Sequence, residues 1–131
     1  QAYEQALKLD PEYAEARNNL AITYRQAGQF YGEKKGDLNK AFQYLNKAYE
    51  LNPNEYETLR LLGVANGVSG NSAKAIEFFT KAMEKEPKLA AAYYNLASAY
   101  GNAGQMDKAV EFMAKAKELN PNIEAEMRGG K

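Results

Sequence analysis

Four prolines punctuate the 131 residues, and three of them, Pro53, Pro87 and Pro121, stand 34 residues apart. Pro11 precedes Pro53 by 42. A chain that repeats itself at such a period does not fold around one central core. It folds as a row of like units, each touching only its neighbours. Other residues keep the step: Ala41, Ala75 and Ala109, and likewise Gly36, Gly70 and Gly104. Ala6, Ala48, Ala82 and Ala116 step by 42, 34 and 34, as do Leu9, Leu51, Lys85 and Leu119, where Lys85 is the charged exception. Leu20-Ala21, Leu62-Gly63 and Leu96-Ala97 follow the same rule. The excess of eight residues in the first interval then falls after Tyr24 and before Asp37.

Each period divides into two helical segments. Apolar residues recur at helical spacing over 14–27, 56–69 and 90–103, as in Leu59, Leu62, Gly63 and Asn66. They recur again over 38–51, 73–85 and 107–119, as in Leu38, Phe42, Leu45 and Tyr49. Between paired segments lie Gly36-Asp37, Gly70-Asn71-Ser72 and Gly104-Gln105. A glycine there permits a left-handed helix ending, and the polar residue after it caps the next helix. Each Asp-Pro, Asn-Pro or Glu-Pro ends a second helix, because the residue before proline is pushed out of the α region. Small residues at Ala21, Gly63 and Ala97, and at Ala41, Ala75 and Ala109, let paired helices approach closely. A larger side chain at Ala75 would overpack that contact, at a cost of about 1–3 kcal/mol.

These residues resemble the tetratricopeptide repeat. The first repeat, 14–55, offers Arg17, Leu20-Ala21, Tyr24, Ala41, Leu45 and Pro53. The second, 56–89, offers Leu59, Leu62-Gly63, Asn66, Ala75, Phe79 and Pro87; the third, 90–123, offers Tyr93, Leu96-Ala97, Tyr100, Ala109, Met113 and Pro121. Arg17 and Asn66 depart from the apolar pattern. The resemblance implies an all-α fold, a right-handed superhelical stack of antiparallel helix pairs. Residues 1–13 then form the second helix of a truncated repeat, open to self-association through Tyr3 and Leu7, in a chain read as a fragment. Residues 124–131 form a short capping segment, and Ile123 and Met127, four apart, cover the last repeat. Shared between two antiparallel helices, the eight extra residues lengthen each by about four, roughly one turn. Gly32-Glu33-Lys34-Lys35-Gly36 would form the turn. Its tip is either a taller hairpin with a charged end or a knob that meets a partner through Phe30, Tyr31, Lys34 and Lys35.

Composition narrows the function. The chain has no Cys and no His, and therefore no thiolate or imidazole for a metal site or a catalytic triad. No cofactor, no metal and no catalysis are expected: the carboxylates fall on exposed helix faces, in pairs such as Glu77–Lys81 and Glu111–Lys115 that support helices. The 17 basic side chains match the 17 acidic ones, which disfavours nucleic acid as a partner. No apolar run approaches the roughly 20 residues of a membrane span.

What remains is a binding surface. The resemblance implies that the first helix of each repeat lines a groove that takes a protein or peptide partner. Read on the 42- and 34-residue steps, the groove residues include Asn18, Asn19, Ile22 and Arg25 from the first repeat. The second supplies Arg60, Val64 and Val68, and the third Tyr94, Asn95, Ser98 and Asn102. Val64 and Val68 would expose apolar area beside a notch at Gly67; Tyr94 and Gly101 would form an aromatic wall and a second gap. The carboxylate clamp of chaperone-tail receptors would need Lys, Asn and Arg where this chain has Asn18, Ile22, Leu61, Ala91 and Asn95, and is absent. An asparagine ladder like that of O-GlcNAc transferase is matched by Asn19 and Asn95 and broken by Leu61. The expected role is a non-catalytic interaction scaffold. The alternatives are an architectural spacer or self-assembly module, or the regulatory region of a larger enzyme.

Overall fold

The computed structural model describes residues 11–129, so that Tyr3 and Leu7 lie outside the described residues. Among these, seven helices and no strand form: α1 (Pro11–Glu33), α2 (Leu38–Leu51), α3 (Tyr56–Val68), α4 (Ser72–Lys85), α5 (Ala90–Asn102), α6 (Met106–Leu119) and α7 (Ile123–Met127). α1 packs on α2, α3 on α4 and α5 on α6; α3 also lies on α2, and α5 on α4. The result is the solenoid of helix pairs that the period implies.

The turns work as their residues require. Gly36, Gly70 and Gly104 adopt φ of 64°, 90° and 82°. In each turn the following N–H returns to a carbonyl of the preceding helix: Asp37 to Tyr31, Asn71 to Asn66 and Gln105 to Tyr100, at 2.8–2.9 Å. This satisfies carbonyls that a helix end leaves open. The side chains of Asp37 and Asn71 then accept from the N–H of Lys40 and Lys74, at 3.1 and 3.2 Å. Gln105 makes no such cap bond. The second helices end at Asn52, Glu86 and Asn120, each with φ between −134° and −150°, as a following proline demands.

The eight extra residues are not shared between two helices. α2, α4 and α6 have 14 residues each. α3 and α5 have 13, whereas α1 has 23. The turn at 34–37 is one residue longer than those at 69–71 and 103–105, and Gly32 and Glu33 belong to the helix rather than the turn.

Packing also shifts the register of the first repeat. A Cβ on Gly63 would stand 2.6 Å from the Phe79 ring, and one on Gly28 would stand 2.7 Å from Leu45 Cγ. Leu45 and Phe79 are repeat counterparts, so Gly28, not Ala21, is the counterpart of Gly63. Gly32 meets Ala41 as Gly67 meets Ala75 and Gly101 meets Ala109. The aromatic rings agree. Tyr44 stacks between Tyr24 and Tyr31 at 6.0 and 5.6 Å, as Phe112 does between Tyr93 and Tyr100 at 6.4 and 5.5 Å. First helices therefore step by 35 residues from the first repeat to the second, and the extra length of α1 lies at its N-terminal end. There Arg17 donates to the Glu50 carbonyl at 3.3 Å, at the far end of α2.

The buried core is a chain of small clusters along the stack. Leu45, Leu59, Leu61, Leu62 and Ala65 join α2 to α3, with Leu38 and Phe42 packed against them. Ala75, Phe79, Leu96 and Ala99 join α4 to α5. Asn66 is buried without cost to its amide, which donates to the Leu62 carbonyl at 2.8 Å. At the C-terminal end Ile123 is buried against Ala90, Tyr93 and Ala116. Met127, expected to cover the last repeat beside it, is exposed. Among the expected charge pairs, Glu77–Lys81 forms at 3.8 Å, but Lys115 pairs with Glu118 at 3.3 Å rather than with Glu111.

Candidate functional site: two hollows between the first helices

The first helices α1, α3 and α5 share one face, and two hollows open between them. Glycines four residues apart make both. On α1 the pair is Gly28 and Gly32, and on α3 it is Gly63 and Gly67. With no side chains there, the helix surface drops to the second helix beneath.

The first hollow, about 250 Å³, lies between α1 and α3 over α2. Its floor is Ala41, Leu45, Leu61 and Ala65, each buried, and Val64 and Val68 form one wall. Three polar side chains reach its rim: Gln29, Glu33 and Arg60. Two hydrogen-bonded pairs tie down the charged ones. Gln29 Nε2 donates to Glu33 Oε2 at 3.1 Å, and Arg60 pairs with Glu57 at 2.7 Å. The second hollow, also about 250 Å³, lies between α3 and α5 over α4. Its floor is Ala75, Phe79 and Ala99; its polar residues are Ser72, Asn95, Ser98 and Asn102, and no ionisable side chain lines it. Val64 and Val68 belong to both hollows and form the ridge between them, 39% and 69% exposed.

Of the residues expected in the groove, Arg60, Val64, Val68, Asn95, Ser98 and Asn102 line these hollows. Asn18, Asn19 and Ile22 do not. They sit seven residues too early on α1, about two turns along the helix axis, because first helices step by 35 here and not 42. Leu61, which breaks the asparagine ladder, is a buried floor residue, and its counterpart on α1 is Gln26 rather than Asn19. Arg25 is occupied elsewhere: its Nε and Nη2 each donate to the Glu55 carboxylate at 3.3 Å, and Thr58 donates to the same carboxylate at 2.6 Å. This half-buried pair clamps α1 to the start of α3. Tyr94 packs on the Ala90–Ile123 cluster, towards the C-terminal cap. On α1 the residues missed were Gly28, Gln29, Gly32 and Glu33. Their signal was the four-residue glycine spacing shared with Gly63 and Gly67.

Phe30, at the tip, is exposed, with the Lys35 ammonium 5.8 Å from its ring. Tyr31 instead stacks on Tyr44, in the place that Tyr100 takes on Phe112. It is part of the repeat's own packing. No helix among the described residues is long and apolar enough to cross a membrane.

Comparison with known proteins agrees with this architecture. Two tetratricopeptide repeat family models match, over residues 69–129 and 2–43. No curated protein sequence matches significantly. Among solved structures, the chain is similar to MamA, at 30% identity and a TM-score of 0.74, over 92% of this chain and 66% of that one. It is similar to a double mutant of MamA from RS-1, at 27% identity and 0.73, over 92% and 67%. An O-GlcNAc transferase mutant from Thermobaculum terrenum is similar at 25% identity and 0.63, over 83% of this chain but 19% of that one. The chain thus spans about two thirds of these MamA structures and a fifth of the transferase. Repeat spacing, stacked helix pairs and family models converge: the chain belongs to the tetratricopeptide repeat family.

Proposed function

We propose that this chain is a protein-interaction scaffold that holds a peptide segment of a partner protein in the groove formed by α1, α3 and α5. A scaffold role is what the repeats and the MamA-like relatives support; the groove as the binding place is our reading. The observation that carries it is the exposed Val64–Val68 ridge between two hollows with apolar floors. Apolar area left open beside a recess of this size is the usual seat of a partner's side chain.

Replacing Val68, the more exposed of the two, by a photo-crosslinking amino acid tests the reading in the cell of origin. Crosslinks to another polypeptide are expected at residue 68 and not at Lys88, exposed in the turn before α5. Equal yields at both positions, or none at residue 68, refute it.

A second reading, an architectural module, draws on α6. Met106 and Val110 are 61% and 67% exposed, although the counterpart Ile76 on α4 packs against the cluster that joins α4 to α5. Under that reading Val110→Glu alters sedimentation and leaves crosslinking at residue 68 unchanged.

A further inference from the structure

The two hollows differ in chemistry, and the difference defines what fits them. This inference rests on the groove as the binding place and adds the class of ligand. The first hollow has an apolar floor; of the two charges at its rim, Arg60 is paired with Glu57, and Glu33, which accepts from the neutral Gln29, is exposed to solvent. The second has no ionisable side chain. A charged ligand group seated on the floor of either would lose water and meet no counter-charge there. The ligand is therefore uncharged where it lies in the groove.

The polar residues of the second hollow add a further constraint. Asn66, Asn71 and Asn120 all spend their side chains on local backbone. Among the described residues, no hydrogen bond engages the side chains of Asn95, Ser98 or Asn102. Asn95 is only partly exposed and lines the hollow together with Ala99 and Phe79. A free amide offers a donor and an acceptor together, which matches the N–H and C=O of an open main chain. A helical ligand has already paired those groups within itself and would bring an apolar stripe to a polar wall. An extended segment suits the second hollow, and one large side chain fills the first.

Spacing connects the two. The hollows lie on either side of α3; a helix with its side chains is about 10–12 Å across, and extended chain advances about 3.3 Å per residue. Neighbouring hollows are thus about three residues apart along a bound strand. We infer that the groove takes an uncharged, extended peptide segment, with one large aliphatic or aromatic side chain between α1 and α3. Its main chain about three residues away lies across the hollow between α3 and α5, bonded to Asn95 and Asn102.

Panning a phage-displayed library of random dodecapeptides on the 131-residue chain tests this, followed by anisotropy measurements with the enriched peptides as labelled synthetics. Enriched peptides should share one Leu, Ile, Met or Phe within an uncharged core. Val64→Glu should weaken them at least tenfold. Asn95→Ala, which breaks no internal bond, should weaken them about three- to tenfold, the worth of one hydrogen-bonded group. N-methylation of the peptide backbone three residues from the anchor should do the same. Peptides that are helical by circular dichroism, or whose cores are rich in Asp, Glu, Lys or Arg, overturn the inference. So does binding that is sensitive to Val64→Glu but indifferent to both Asn95→Ala and N-methylation. All three of those results leave the groove intact as a binding place, provided Val64→Glu still abolishes binding. Absence of enrichment, or binding indifferent to Val64→Glu, removes the groove and the ligand class together.

Discussion

Adding one methyl group at Gly63 tests the packing that defines the repeat register. An ideal Cβ there lies 2.6 Å from Cδ1 and Cε1 of Phe79 and 2.9 Å from Cγ. Ordinary carbon contacts begin near 3.5 Å, so the ring must retreat by close to an ångström. It has little room, because Phe79 is 7% exposed and shares its cluster with Ala75, Leu96 and Ala99. Overpacking of this kind costs about 1–3 kcal/mol. Alanine returns about 1 kcal/mol through helix propensity, so Gly63→Ala should destabilise by up to about 2 kcal/mol net. The control is Gly101→Ala, where the new methyl meets Ala109 at a comfortable 3.9 Å. Only the propensity gain remains there, and the variant should be more stable by up to about 1 kcal/mol. The propensity gain is common to both, so urea titrations followed by circular dichroism should separate the two variants by the overpacking cost, about 1–3 kcal/mol at equal slope. The third repeat suggests the rescue, since it carries Ala97 and Met113 at the positions of Gly63 and Phe79. Gly63→Ala with Phe79→Met should recover at least 0.5 kcal/mol over the sum of the single changes, about the smallest coupling a double-mutant cycle assigns to residues in contact. The reasoning fails if Gly63→Ala is as stable as Gly101→Ala, or if Phe79→Met adds its cost independently.

Three further outcomes follow from local geometry. Gln105→Asp should stabilise by about 0.5–1 kcal/mol, because α6 alone of the three second helices lacks a side-chain cap bond; a thermal melt that does not rise counts against this. Tyr44→Ala removes the ring held between Tyr24 and Tyr31, and should cost about 2–3 kcal/mol in urea titration, below the range for a fully buried ring. Lys117, 3.0 Å away, holds the Glu124 carboxyl below its usual range, with Arg128 adding to the effect. A depressed carboxylate contributes stability that is complete above its ordinary value and is lost as pH falls through the lowered one. The Cα shifts of 124–128 should therefore move towards coil in acid before those of α3, and a simultaneous change would show that the pair does not hold α7.

Much of the fold was legible in the residues. The turn glycines, the caps at Asp37 and Asn71 and the stops before Pro53, Pro87 and Pro121 each act over a few residues, through backbone sterics that hold in any tertiary setting. The groove was half legible. Arg60, Val64, Val68, Asn95, Ser98 and Asn102 lie in repeats of ordinary length, so counting from Pro87 and Pro121 finds them. Asn18, Asn19 and Ile22 were reached by counting through the irregular interval, and there the count slips.

The slip has a physical cause. A shift of seven residues turns a helix through nearly two full turns, returning within about 20° of the same face. Leu20-Ala21 and Ala27-Gly28 therefore present the same stripe to the rest of the chain, and the apolar pattern of α1 is satisfied equally by steps of 42 and 35. The period, the helix pairs and their punctuation follow from the order of residues, because they depend on contacts close along the chain. Which turn of α1 meets α2 depends on a contact between residues far apart. Gly28 fits beneath Leu45, and Tyr24 and Tyr31 enclose Tyr44. That packing alone sets the register, and with it the glycine pair that opens the first hollow.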